Sequence, residues 1–302
     1  MNFNVLTYNN GVGIVTDAEL LTSLIKSHIT IDVEMTFIDK FIKNNYDVGI
    51  WIQNFDINLL NCFKTNVFFI NEEWAADHEL NNLHLFDYVV CKTKYAQTLL
   101  KTYCNAIYIP FISRNFYNPV VQRQNQFLHF VGRSIQKNTE LVLSLKNKLT
   151  IIDPYNRYKV CENVNHINEY QSTDQLVNLL NSHNFHICCS LYESWGHYLF
   201  EGLSTGAEII CSDIPVFREQ LDPNLVHFIK TTETVSVNYQ YDFDNINKKF
   251  PMRKSFHIDA DCFKNKIENF KPIGKSEERR KLFNNIIHSN KKKITDFITT
   301  LT

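Results

Sequence analysis

Glu193 and Glu201 are separated by seven residues in the run Tyr192-Glu193-Ser194-Trp195-Gly196-His197-Tyr198-Leu199-Phe200-Glu201-Gly202-Leu203-Ser204-Thr205-Gly206. Before them, Phe185-His186-Ile187-Cys188-Cys189-Ser190 is an apolar segment of strand length, and from about His197 the run has helical periodicity. This order places Glu193 at the carboxyl end of a strand and Glu201 one to two turns into the next helix. Open parallel sheets collect their ligands at that edge. Gly196 lets backbone approach a ligand closely, and the N–H groups of a helix's first turn favour an anion. A carboxylate beside an anion site needs a different partner. The hydroxyls of a sugar or ribose supply one, because a carboxylate accepts strong hydrogen bonds from them. Taken as two arbitrary glutamates, the pair reads equally as a surface residue and an ordinary helix residue.

A second group of reactive types lies upstream. Phe127-Leu128-His129-Phe130-Val131-Gly132-Arg133-Ser134-Ile135-Gln136-Lys137-Asn138 runs from an apolar strand into a polar loop, with a helix expected over Thr139 to Leu149. Arg133 and Lys137 leave the sheet at its ligand edge. Two fixed cations there would neutralise a pyrophosphate and stabilise the charge that grows on it as a bond to it breaks. Alone, they read as solvated surface charges.

Continued through Ala207-Glu208-Ile209-Ile210-Cys211-Ser212-Asp213-Ile214-Pro215, the glutamate run resembles the donor-site signature of retaining GT-B glycosyltransferases of the family 4-like type. The resemblance implies that Glu193 contacts hydroxyls of the donor sugar and Glu201 holds the nucleotide ribose. It also implies that the turn at Gly196, His197 and Tyr198 faces the diphosphate, with Arg133 and Lys137 matching the family's arginine and lysine. His197 departs from the apolar residue usual there, and its side chain either touches the donor or caps the turn. Many relatives carry a histidine after the amino-domain strand that faces the donor. This chain has Val67-Phe68-Phe69-Ile70-Asn71-Glu72-Glu73-Trp74, so Asn71 or Glu72 takes that place. An Asn would bond a sugar hydroxyl; a Glu could also stabilise a positive anomeric centre or accept a proton. A loop carboxylate paired with a cation is the plain alternative.

Length and composition permit this reading. The 302 residues, 44% hydrophobic, suffice for two packed cores. Eight cysteines form no Cys-x-x-Cys pair and fall mostly in apolar runs, which points to small buried hydrophobes in a reducing, intracellular compartment. No apolar stretch approaches the roughly 20 residues that span a bilayer, and Met1-Asn2-Phe3-Asn4-Val5 enters a strand without a basic leader. Cytoplasmic location is the expectation. The wealth of Asn, Lys, Ile and Phe is a bias that AT-rich viral and bacterial genomes produce.

Short apolar runs alternate with helix-period segments, as parallel sheets require. The expected order is strand Phe3–Thr7, helix Ile14–Ser27, strand Thr30–Glu34, helix Phe37–Lys43, strand Val48–Gln53, strand Val67–Ile70, helix Asp77–Leu85, strand Tyr88–Cys91, helix Lys94–Tyr103 and strand Ala106–Ile109. The reading is α/β of GT-B type, with two Rossmann-like doubly wound domains facing a central cleft. Residues 1–115 form the amino-terminal, acceptor-side domain, 116–126 a linker and 127–274 the donor-nucleotide domain. Residues 275–302 form a helix that returns to brace the first domain. The first loop, Asn9-Asn10-Gly11-Val12-Gly13, follows a strand and opens a helix, so Gly11 and Gly13 could bring backbone to donor phosphates or an acceptor.

From Lys248 to Lys293 there are fourteen Lys and Arg against five Asp and Glu. This excess reads as the solvated face of terminal helices or as a contact for an anionic surface through residues 248–293. Asp242-Phe243-Asp244 and Asp259-Ala260-Asp261 match a metal-binding DxD only superficially, and no metal or cofactor is expected beyond a nucleotide-diphosphate sugar as co-substrate. The function so implied is transfer of a sugar to a glycan, lipid or protein acceptor with retained configuration. Two rivals are a catalytically degenerate GT-B module that only binds, and a nucleic-acid-modifying glycosyltransferase.

Overall fold

The structure, a computed structural model, describes residues 1–9, 13–44, 46–132, 135–145, 149–162, 164–235, 238–240 and 247–302. Gly11, Arg133 and Asp242-Phe243-Asp244 lie outside the described residues.

Six strands form the first sheet: β1 (Asn2–Thr7), β2 (Asp32–Phe37), β3 (Tyr46–Ile52), β4 (Phe63–Ile70), β5 (Tyr88–Cys91) and β6 (Ile107–Tyr108). Their order is β2-β1-β3-β4-β5-β6, with every neighbouring pair parallel. Helices α1 (Gly13–His28), α2 (Asp77–Asn81) and α3 (Lys94–Leu100) cover it. The second sheet comprises β7 (Gln124–Phe130), β8 (Leu149–Ile152), β9 (Val164–Ile167), β10 (His183–Cys188), β11 (Glu208–Ser212) and β12 (His227–Ile229), in the order β12-β11-β10-β7-β8-β9. Its helices are α4 (Thr139–Leu143), α5 (Thr173–Ser182), α6 (His197–Thr205) and α7 (Pro215–Arg218). The strand order reverses between β7 and β10, so the loops after these two strands flank a topological switch point, where such sheets bind ligands.

Four expected helices are shorter than the periodicity suggests: Asp77–Leu85 ends at Asn81 with a separate turn at Leu83–Leu85, Lys94–Tyr103 ends at Leu100, and two more give way to strand pairing. In place of Phe37–Lys43 there is a single turn at Ile38–Lys40, because Met35, Thr36 and Phe37 extend β2 by pairing with Val5, Leu6 and Thr7. The helix expected over Thr139 to Leu149 ends at Leu143, and Leu149-Thr150-Ile151-Ile152 pairs instead with β7 as β8. In both places the pairing available in the sheet overrides a local helical pattern.

After β12 the chain leaves the sheet. β13 (Thr231–Val235) and β16 (Lys254–Ile258) pair antiparallel, as do β14 (Asn238–Gln240) and β15 (Asn247–Lys249), before α8 (Ala260–Glu268) and α9 (Ser276–Thr300). This hairpin is an addition to the doubly wound domain expected over 127–274. Asp259 caps α8 by accepting from Cys262 N–H at 2.8 Å, an ordinary helix start.

Helix α9 returns to the first domain. Phe283, Ile287, Ile294 and Ile298 are buried in one apolar cluster with Leu21, Leu24 and Ile25 of α1 and Leu199 and Leu203 of α6. Asn290 donates its side-chain N–H to Phe111 O at 2.7 Å, and the Phe297 ring meets Tyr88 edge-on at 5.7 Å. Two cations of the basic stretch are interior: Arg253 is 1% exposed and Arg279 2%, the latter 3.5 Å from Glu208. Among the described residues, no helix is long and apolar enough to cross a membrane.

Candidate active site

Gly196 is the N-cap of α6 and has φ +93°. A Cβ there would stand 2.7 Å from Phe217 Cε1, so glycine is required both by the backbone conformation and by the packing beneath it. The first N–H groups of α6 lack acceptors within the helix. Glu193, on the strand side of this turn, accepts from Ser190 Oγ at 2.7 Å and is ion-paired with Lys137 Nζ. Lys137 closes the short turn Ile135–Lys137 after β7. The two loops are stitched together by Leu191 N–H donating to Gln136 O at 2.8 Å and Gln136 Nε2 donating to Tyr192 O at 2.7 Å. Lys137 and Glu193 therefore meet because their strands, β7 and β10, are sheet neighbours. Glu201 is half-buried one turn along α6. Burial pushes its carboxyl pKa above the ordinary value against the charges of His197, Arg114 and Lys137. The Tyr198 side chain turns away from the cleft into the core and donates to Leu128 O at 2.7 Å.

Across the cleft, Asn71-Glu72-Glu73-Trp74 forms a tight turn at the end of β4. Asn71 N–H donates to Gln53 Oε1 at 2.6 Å, and its own Oδ1 is buried without a hydrogen-bond partner among the described residues. Glu72 and Glu73 are both buried and engage Ser194 of the facing domain. Ser194 N–H donates to Glu73 Oε1 at 2.9 Å, and Ser194 Oγ lies 2.8 Å from Glu72 Oε2 and also against Glu73 Oε2. One hydroxyl proton cannot satisfy two charged carboxylates, so the cluster favours an extra proton. Burial pushes the Glu72 pKa up to about 7, and burial with the charges of Glu72 and Glu193 carries that of Glu73 well above the ordinary range.

A second bridge joins α1 to the start of α6. His197 Nε2 is 2.8 Å from Asp17 Oδ1, and its Nδ1 is 3.0 Å from Ser113 Oγ, which accepts from Trp195 Nε1 at 2.9 Å. Lys92 Nζ lies 2.5 Å from Asp17 Oδ2, with both side chains almost fully buried. Burial alone would raise the Asp17 pKa, but the Lys92 charge and the His197 hydrogen bond hold it below the ordinary carboxylate value. The His197 side chain does not cap the turn; its two ring nitrogens face Asp17 and Ser113 across the cleft. Gly13 opens α1, one turn before Asp17.

Asp17, Lys92, Ser113, Glu73 and Ser194 were missed by reading motifs. Lys92 carried a usable signal, since it directly follows the buried strand Tyr88–Cys91, as Lys137 follows β7. Asp17 carried another, as an acid among the apolar positions of α1. Between the domains, Glu72, Glu73 and Glu193 border a cavity of ≈ 10 Å³. Pockets for small ligands are commonly about 300–1,000 Å³, so this cavity as it stands is too small to hold one.

No protein-family model matches the chain, and no curated protein matches it significantly. Solved structures do. HepE of Anabaena, in complex with UDP and glucose, superposes with a TM-score of 0.66 at 11% identity, covering 99% of this chain and 100% of that one. Sucrose-phosphate synthase of Thermosynechococcus elongatus gives 0.62 at 11%, covering 99% and 98%. The pneumococcal O-GlcNAc transferase GtfA, in complex with UDP and GlcNAc, gives 0.60 at 11%, covering 85% of this chain and 57% of that one. The chain thus has the GT-B fold of these glycosyltransferases: two parallel-sheet α/β domains about a central cleft.

Proposed function

We propose that the chain is a glycosyltransferase that moves a sugar from a nucleotide-diphosphate donor to an acceptor with retention of configuration. The observation that carries this is the convergence of Lys137, Glu193 and the Gly196-capped start of α6 at the switch point, with Glu201 one turn further along the same helix. The first turn of α6 and the Lys137 ammonium would hold the diphosphate and stabilise its departure. Glu193 would orient the sugar through its hydroxyls, and Glu201 the ribose. Asn71 Oδ1, a buried acceptor awaiting a donor, suits a sugar hydroxyl. Glu72 faces the same space, but its contact with Ser194 must open before it can act on substrate. Closure of the domains would exclude water and limit donor hydrolysis. The scheme calls for no metal, and the acceptor could be a glycan, lipid or protein. The exposed lysines of 248–293, among them Lys281, Lys291 and Lys292, are available for an anionic surface. The reducing interior implied by eight free cysteines fits a cytoplasmic enzyme.

A binding module without turnover is the second reading, favoured by the direct pairing of Lys137 with Glu193. A thermal-shift and donor-hydrolysis screen against UDP-, GDP-, ADP- and dTDP-sugars separates the two, with Glu193→Ala and Lys137→Ala as controls. Stabilisation with slow hydrolysis of one donor, lost in both variants, is the expected result. Stabilisation without hydrolysis selects the binding module, and no stabilisation by any donor refutes both.

A further inference from the structure

Among the described residues, three other than glycine have a left-handed backbone: Gln53 at φ +63°, Asn138 at +54° and Asn156 at +49°. Asparagine visits that region readily, and glutamine does not. Gln53 is 5% exposed and follows β3 at the carboxyl edge of the first sheet, where the register pairs Ile52 with Phe69 of β4. Its N–H carries the ladder one step further by donating to Phe69 O at 2.8 Å. In a regular parallel pair the next bond would run from Asn71 N–H to the main-chain carbonyl of Gln53. The left-handed turn breaks that run, with Asn54 N–H folding back on Ile52 O at 2.7 Å, and the Gln53 side chain supplies the acceptor instead: Asn71 N–H donates to Oε1 at 2.6 Å. Glycine would take this backbone without strain, but it would leave the Asn71 N–H without that acceptor.

Asn71 is thereby held through its main chain on both sides. Gln53 takes its N–H, and its carbonyl accepts from Trp74 N–H at 3.0 Å, whereas its side-chain Oδ1 is buried without a hydrogen-bond partner among the described residues. A buried acceptor left open calls for an explanation, and a fixed main chain beneath it makes its direction reproducible. Resting on the function proposed above, in which Asn71 Oδ1 receives a sugar hydroxyl, we propose that Gln53 is a positioning residue for glycosyl transfer: its side-chain amide fixes Asn71 at the edge of the first sheet. Gln53 itself touches no substrate. A misplacement of about 1 Å in such a group can cost about 100-fold in rate. Lys137 and the start of α6, which would hold the diphosphate, belong to the other domain, so the donor KM is separable from this effect.

The test measures kcat and KM for hydrolysis of UDP-, GDP-, ADP- and dTDP-glucose, each offered in turn, in wild type, Gln53→Gly, Asn71→Ala and the double variant, beside their thermal midpoints. Gln53→Gly relieves the backbone and loses one hydrogen bond, opposed effects that should keep the midpoint within about 2 °C of wild type. Its kcat should fall about 10- to 100-fold with KM within about threefold. Asn71→Ala should lose a similar factor, and adding Gln53→Gly to it should cost less than about twofold more. Losses that multiply in the double variant overturn the proposal, as does a wild-type kcat in Gln53→Gly or a KM that rises as far as kcat falls. Where Gln53→Gly does not fold, Gln53→Asn serves: asparagine accepts the left-handed backbone, but its amide is one methylene short of Asn71. The same loss of kcat is expected there, and full activity overturns the proposal. Failure of wild type to hydrolyse any of the four donors overturns the function beneath it, a result reached before any variant is compared.

Discussion

Removing the Asp17 carboxylate tests whether the bridge from α1 to α6 holds the domains together. In Asp17→Asn the amide keeps a hydrogen bond to His197 but leaves Lys92 buried without its counter-charge. The Lys92 side chain is 3% exposed, and its nearest other favourable contact is the face of the Phe111 ring at 4.5 Å. Breaking one side of a buried ion pair costs about 3–5 kcal/mol, and a cation over an aromatic face recovers about 1 kcal/mol of that. Unfolding entropy of about 2.1 cal/mol/K per residue gives about 0.6 kcal/mol/K for 302 residues, so the midpoint should fall by about 3–6 °C. The assay is thermal unfolding of wild type, Asp17→Asn, Lys92→Met and the double variant. The double variant removes both buried charges and leaves the new amide with its hydrogen bond to His197, so it should be more stable than either single one, a strongly non-additive cycle. A midpoint within 1 °C of wild type for Asp17→Asn, or additive losses in the double variant, would refute the reasoning.

Two further outcomes follow from the site. Gly196→Ala should destabilise by about 2–3 kcal/mol, since the backbone sits at φ +93° and the new Cβ meets Phe217 Cε1 at 2.7 Å; Phe217→Leu in the same chain should recover only part, because the dihedral remains, and full recovery in denaturant titration would show that the contact alone mattered. Glu72 has a folded-state pKa of about 7 against an ordinary 4.5, raised by burial and in smaller part by the Glu219 charge, against the hydrogen bond from Ser194 and the charge of Lys92, so the stability it supplies is complete below about 4.5 and is lost as pH rises through about 7. His129 and His186, held neutral by burial at about 4 and 3, act oppositely at lower pH, so the informative quantity is the difference between wild type and Glu72→Gln. Wild type should lose stability relative to Glu72→Gln between pH 5 and 8, by at most about 3 kcal/mol, and parallel melting profiles would rule this out.

The residues legible in the sequence share a physical property: each is placed by its immediate neighbours. Tyr88–Cys91 reads as a strand because a buried parallel strand is continuously apolar. Glu193, Gly196 and Glu201 read as a site because one strand, one glycine turn and one helix deliver all three, and Lys137 reads likewise beside its own strand. What the sequence hid is whatever spans the cleft. His197 and Asp17 are 180 positions apart, Ser194 and Glu73 are 121, and Arg253 and Glu73 are 180. No local period encodes such pairs, and the residue types involved, read singly, are those of solvated surface. Segment 250–256, which reaches Glu73 O through Arg253 and Leu191 O through Phe256 N–H, is hidden for a different reason. Its cations, counted with those of α8 and α9, look like one basic face, whereas Arg253 is packed between aromatic rings and covered.

These hidden contacts divide the interdomain seam into two unlike halves. On the hinge side, α9 lies in a common apolar cluster with α1 and α6, and Phe111, Ile112 and Phe116 of the connecting segment join it. Separating those surfaces would expose apolar area, at about 25 cal/mol per Å². On the open side, the contacts are mostly polar: Ser194 with Glu72 and Glu73, His197 with Asp17, Arg253 with Glu73 O, and Glu219 accepting from Lys94 and Tyr95 N–H at 2.9 and 2.6 Å at the start of α3. Water can replace such bonds, each worth about 1 kcal/mol net. Any separation of the two domains that leaves the apolar cluster around α9 intact must break these polar contacts, among them the part-buried Asp17–His197 bond, and must part the Trp74–Tyr192 and Tyr95–Phe256 rings, whose centroids lie 5.8 and 6.4 Å apart.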